Sequence, residues 1–98
     1  MIIVAGSITA KPETVAAMTR ASLEHVRRSR LEPGCISHDV GIDPENPLRL
    51  MFFERWQDAA VLKTHFAVRE SRVFWKTLQD LAAEPGGMQI YEAQKIRV

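Results

Sequence analysis

Among its 98 residues the sequence has one cysteine, one tyrosine and three histidines. A lone Cys35 forms no internal disulfide and cannot build a zinc site, so it is read as a structural, partly buried thiol suited to a reducing cytoplasm. No apolar run approaches the roughly 20 residues that span a bilayer. MIIVAGSITAKPE, at the start, has neither the basic n-region nor the long h-region of a signal peptide. Charge of one sign is lacking as well. Thirteen Lys and Arg against twelve Asp and Glu leave a net +1, which gives no sequence-wide field for nucleic acid or an anionic membrane and favours small neutral ligands.

Several chemical signatures are absent. No H-E-x-x-H, paired carboxylates or Cys-His cluster occurs, and His25 and His38 stand at no metal-ligand spacing to His65, so no metal is expected. Gly86-Gly87 leads into a strand, whereas a phosphate cradle needs glycines leading into a helix. Arg27, Arg28 and Arg30 read as a solvated helix end, and no RRM-type aromatic pair accompanies them. The expectation is a soluble cytoplasmic protein with no nucleic-acid or membrane partner.

What is there is 46% apolar sequence, enough for one compact domain over residues 1–98. Ile2 to Thr9 is rich in β-branched residues and reads as a buried first strand. After Pro12, the spacing of Val15, Met18, Leu23 and Val26, with Thr19 and Ser22 filling the stripe, predicts a helix that stops near Pro33-Gly34. Cys35 to Ile42 alternates as a strand. DPENP, Asp43 to Pro47, is turn chemistry leading by a rather long loop to a strand over Leu48 to Trp56. Asp58 is placed to cap a short helix carrying Val61, Leu62, His65 and Phe66, and a further helix carries Phe74, Leu78 and Leu81. Met88 to Val98 alternates as a last strand.

That order predicts an α+β, ferredoxin-like split βαβ fold: a four-stranded antiparallel sheet with helices on one face. The other face keeps apolar residues that nothing in one chain covers, so a homodimer packing sheet on sheet is expected. On the third strand, Phe52, Glu54 and Trp56 share one side and Met51, Phe53 and Arg55 the other. A carboxylate between two aromatics must find a donor, reach a cavity or lie at the strand end, since burial without a partner is costly. Trp56 falls at the strand-to-helix corner, where it either packs or walls a pocket. His65 lies one helical turn after Val61, as a core histidine or an acid-base group.

EPGCISHDV from Glu32 to Val40, FERW from Phe53 to Trp56, His65, and IYEA from Ile90 to Ala93 resemble the antibiotic biosynthesis monooxygenase (ABM) superfamily, especially its small quinol-monooxygenase-like members. The resemblance implies a dimeric α+β barrel. It implies oxygenation of a quinol, anthrone or related polyketide by O₂ without flavin, heme or metal, because the deprotonated substrate supplies the electrons. Such an enzyme needs an apolar cavity for a flat ring, a proton acceptor, and donors for an oxyanion.

The resemblance implies catalytic roles for His65 and Glu54 as proton acceptors and for Trp56 with Phe52 as ring walls. It implies substrate contacts from Ser7, His38, Trp75 and Tyr91. Heme-degrading relatives use an Asn, a Trp and an iron-ligating His where this chain has Ser7, His65 and Trp75, so heme degradation is not implied. Two further functions remain open: an isomerase or degradative enzyme for a small signalling molecule, and a non-catalytic dimeric ligand-binding module.

Overall fold

The β-branched run at the start becomes β1 (Ile2–Thr9), and it is a central strand. Its two edges are taken by β3 (Asn46–Trp56) and β4 (Gly87–Glu92), while β2 (Cys35–Asp43) pairs with the far edge of β3. A computed structural model describes residues 1–98. Its sheet has the order β2-β3-β1-β4, antiparallel throughout. With α1 (Val15–Ser29), α2 (Ala59–Ala67) and α3 (Arg69–Leu81), this is the α+β, ferredoxin-like arrangement that the sequence predicts. No helix is long and apolar enough to cross a membrane.

Alternation along the strands separates two faces. Val4, Ile8, Leu50 and Trp56 are buried beneath the helices. They belong to two clusters, one of Ile8, Ala10, Met18, Leu50 and Leu78, the other of Val4, Trp56 and Leu62. Met51, Phe53 and Tyr91, of the opposite parity, stay exposed on the outer face.

Three boundaries differ from expectation. Helix α1 begins at Val15 because Thr14 Oγ1 accepts a hydrogen bond from Lys11 N–H in a preceding turn that contains Pro12, and it ends at Ser29, before Pro33. The β2–β3 loop is short, since Asp43 already pairs with Asn46. Asp43 Oδ1 accepts from Glu45 N–H at 2.8 Å and Asn46 Oδ1 from Leu48 N–H at 3.1 Å, so side chains satisfy the turn and let the strands meet around Pro44-Glu45. Strand β4 stops at Glu92 rather than continuing to Val98. Glu92 pairs with Ile2, the first residue of β1, and Ala93 adds only a last pair of hydrogen bonds with Met1, at 2.8 and 2.9 Å.

One glycine fixes how the α1–β2 loop meets α2. Gly34 has φ 85°, and a Cβ there would meet Val61 carbons at 2.7–2.8 Å. Its carbonyl accepts from Gln57 N–H at 2.8 Å. The Gly34→Ala variant is expected to lose about 1–2 kcal/mol from the left-handed backbone alone, and more from the clash. Chemical denaturation checks this, and an unchanged midpoint would contradict it.

Candidate active site

The inner face of the sheet meets the helices around a cavity of about 490 Å³. Apolar walls come from Val4 and Ile8 of β1, Phe52 of β3, Phe66 of α2, and Phe74, Trp75 and Leu78 of α3. The polar groups lining it include His25, His38, Glu54 and His65. Strand register explains why two of these meet: His38 on β2 lies directly opposite Glu54 on β3. Helical spacing explains His25, which falls on the buried stripe with Met18, Ser22, Val26 and Ser29.

His65 is 2% exposed and its ring is held from one side. Its Nδ1 lies 3.0 Å from Glu32 Oε1, and Glu32 Oε2 accepts from Arg28 Nη1 at 2.9 Å. A carboxylate accepts only, so Nδ1 carries the proton and Nε2 is left with its lone pair. That Nε2 is 4.0 Å from Glu54 Oε1. Burial lowers the His65 pKa, although Glu32 opposes the shift, which keeps the ring neutral and able to accept a proton.

Arg28 also orders His25. Its Nη2 donates to His25 Nδ1 at 2.9 Å, which puts the His25 proton on Nε2, and the ring stacks on Phe74 with centroids 4.0 Å apart. Burial first, then His38, His65 and Arg28, push the His25 pKa down to about 3. His38 is driven down to about 3 as well, by burial, then His65, Arg30 and Arg28.

Glu54 shows the opposite shift. Burial raises its carboxyl to about 7, against the hydrogen bond that Trp56 Nε1–H donates to Oε1 at 2.9 Å, with Glu32 adding a smaller upward push. Near neutral pH it therefore exchanges between an acid that donates and a carboxylate that accepts. Its Oε2 is 3.4 Å from His38 Nε2.

Of the residues singled out in the sequence, the fold brings His65, Glu54, His38, Phe52 and Trp75 to one cavity. It does not bring Trp56 there as a ring wall. Trp56 is 0% exposed, packed with Val4 and Leu62, and lies behind the site, donating to Glu54 and resting against the His65 ring with centroids 4.5 Å apart. Ser7 borders the cavity, but it pairs with Met51, whose parity is that of the outer face, so its hydroxyl is not an inward donor. Tyr91 pairs with Ile3 on the outer face and donates its hydroxyl to Gln89 Oε1. It contributes nothing to the cavity within one chain. His25, Glu32 and Arg28 were not singled out for the site. The helical stripe 18-22-25-29 carried the signal for His25, and Glu32 lies within the EPGC motif.

These buried groups make stability depend on pH. The folded pKa values of His25 and His38 lie below 6.5, so the unfolded chain binds protons there that the folded one does not. Their contribution is present above pH 6.5 and is lost as pH falls toward 3. Glu54, raised from 4.5 to about 7, acts oppositely, losing its contribution as pH rises through 7, but it is one group against two. The denaturation midpoint is expected to fall as pH drops below 6.5, and more steeply below 4.5, where Glu54 no longer offsets the histidines. Each excess proton is worth about 1.4 kcal/mol per pH unit. Equal midpoints at pH 7.5 and pH 4.5 would contradict this balance.

The family described as antibiotic biosynthesis monooxygenase matches residues 1–77. An uncharacterised protein from Synechocystis sp. is 35% identical over 91 residues, 93% of this chain and 62% of that protein, so the chain spans less than two thirds of that relative's length. A solved structure of an antibiotic biosynthesis monooxygenase is 25% identical, with a TM-score of 0.89 over 97% of this chain and 100% of that one. A structure from Deinococcus radiodurans, 23% identical, gives a TM-score of 0.94 over 100% of this chain and 97% of that one, a likeness of fold alone.

Proposed function

The chain belongs to the antibiotic biosynthesis monooxygenase family, and from that premise we propose that it oxidises a flat phenolic substrate, a quinol or anthrone, with O₂ and without a cofactor. The observation that carries this is the pairing of His65 Nδ1 with Glu32 at 3.0 Å, which leaves Nε2 as a neutral base beside an apolar-walled cavity. A volume of about 490 Å³ suits a small polycyclic ring system. Phe52, Phe74 and Trp75 supply its walls.

For an anthrone, His65 Nε2 takes the proton of the acidic CH₂ or its phenolic tautomer, and the imidazolium is stabilised by Glu32. The substrate anion passes one electron to O₂. Superoxide and the substrate radical then combine to form a C–O bond, and the peroxide takes the proton back from His65. In the last step the base removes the remaining hydrogen of that carbon while the O–O bond breaks. The carbonyl forms, and the departing hydroxide is protonated to water. One oxygen atom ends in the product and one in water, so CH₂ plus O₂ gives C=O plus H₂O. Protonated Glu54 donates to the oxyanion during the first step.

Oxygen-electrode measurements with a panel of quinols and anthrones test this. Consumption of one O₂ per substrate is expected, whereas ligand-induced thermal stabilisation without uptake would favour a binding module. The same reading treats residues 1–98 as one domain that pairs with a second copy across the outer face, covering Met51, Phe53 and Tyr91. Light scattering at micromolar concentration should then give twice the 11.1 kDa chain mass, and a monomer would contradict it.

A further inference from the structure

The inner end of the cavity holds more ligating atoms than proton transfer requires. One ring nitrogen from each of His25, His38 and His65 lies within 4.8 Å of the others, and all three residues are buried. Glu54 stands among them, with Oε2 3.4 Å from His38 Nε2 and Oε1 4.0 Å from His65 Nε2. From this geometry we infer that His38, His65 and Glu54 form a binding site for one divalent transition-metal ion of the zinc class, and that the ion inhibits the oxidation.

Separations around the carboxylate already fit an ion. Ligands bonded at about 2.1 Å in a tetrahedron stand about 3.4 Å apart, the distance between His38 and Glu54. His65 must move in to join them, its Nε2 standing 4.0 Å from Glu54 Oε1. Its Nδ1–H is fixed by Glu32, the carboxylate–histidine pairing that orients imidazole ligands and raises their basicity. Imidazole and carboxylate together are a borderline donor set suited to Zn²⁺ or Co²⁺, while Mg²⁺ and Ca²⁺ prefer all-oxygen shells. Burial keeps the imidazoles neutral, as ligands must be. His25 lies within reach, but Arg28 occupies its Nδ1 and fixes the proton on Nε2, so His25 is not counted among the ligands.

Inhibition follows from the shared lone pair. His65 Nε2 cannot hold an ion and accept a substrate proton together. This consequence rests on the proposed oxidation, while the binding does not.

The test uses full-length, tag-free, chelator-treated protein titrated with Co²⁺, whose ligand-field bands report nitrogen and oxygen coordination, followed by displacement with Zn²⁺. One ion per chain with micromolar or tighter affinity is expected. His38→Ala should abolish the bands, and Glu32→Gln should weaken binding about 10-fold or more by removing the negative charge that raises the basicity of His65. Absence of bands with Co²⁺ in tenfold excess, or unchanged affinity in His38→Ala, overturns the site. Should His38→Ala not fold, the ¹⁵N ring signals of His38 and His65 in the wild-type protein decide instead. They shift on adding Zn²⁺ if the site exists and stay in place if it does not. In the oxygen assay Zn²⁺ should lower the apparent kcat while changing the KM of the substrate little. Metal-free protein that oxidises substrate but shows no Co²⁺ bands sinks this inference alone, whereas protein that binds Co²⁺ but consumes no O₂ sinks the oxidation alone.

Discussion

Replacing His65 by alanine will lower turnover of a quinol or anthrone by about 10²-fold or more while changing its KM little. The expectation rests on position. His65 Nε2 faces the cavity as a neutral base, and the Glu32 carboxylate on Nδ1 stabilises the positive charge that forms when it accepts a proton. The flat walls that set affinity, Phe52, Phe74 and Trp75, are untouched by the change. Because His65 is buried, the variant must first be shown to fold. Glu32→Gln is the companion: it keeps His65 in place while removing the negative charge, and a loss in kcat is again expected. Steady-state oxygen uptake by both variants checks this. A His65→Ala protein that is folded and turns over at the wild-type rate would remove His65 from the chemistry and leave Glu54 as the base.

Trp56→Ala will cost about 3–5 kcal/mol of folding stability, the range for deleting a fully buried tryptophan, rather than acting mainly on substrate affinity. Small domains hold only about 5–15 kcal/mol in all, so the variant will be close to unfolding. The ring has no exposed surface, fills the space between Val4 and Leu62, and lies against His65 with centroids 4.5 Å apart. Trp56→Phe separates packing from hydrogen bonding. It keeps most of the volume but removes the Nε1–H that opposes the upward shift of Glu54. Glu54 should then hold its proton to a higher pH than in the wild type. Urea denaturation measures the first effect and the pH dependence of turnover the second. Near-native stability of Trp56→Ala would show that the ring is not the core element described here.

Strand and helix identities were legible in the sequence because local patterns decide them. The β-branched run gave β1 with its boundaries, and Asp58 gave the start of α2, where its side chain accepts from Val61 N–H at 2.9 Å. Parity placed Phe52, Glu54 and Trp56 on one face, but parity says nothing about depth. Whether Trp56 walls a pocket or lies behind it depends on how Leu62 of α2 and Val4 of β1 close over it. The family resemblance implied substrate contacts for Ser7 and Tyr91, and only the pairing register shows that they share a face with Met51. The Glu32–His65 contact joins residues 33 apart through a loop that Gly34 turns onto α2, and no short-range pattern encodes it. DPENP read as a long loop because turn propensity does not reveal that Asp43 and Asn46 satisfy the backbone of a short one.

The central claim is that this cavity ionises a phenolic substrate so that O₂ can oxidise it. Anaerobic absorption spectroscopy of an anthrone bound to metal-free protein at pH 7 tests this most directly, because anion and neutral forms absorb at different wavelengths and no turnover intervenes. The spectrum of the anion is expected with the wild-type protein and that of the neutral form with His65→Ala. A substrate that binds the wild-type cavity yet keeps its neutral spectrum would contradict the account.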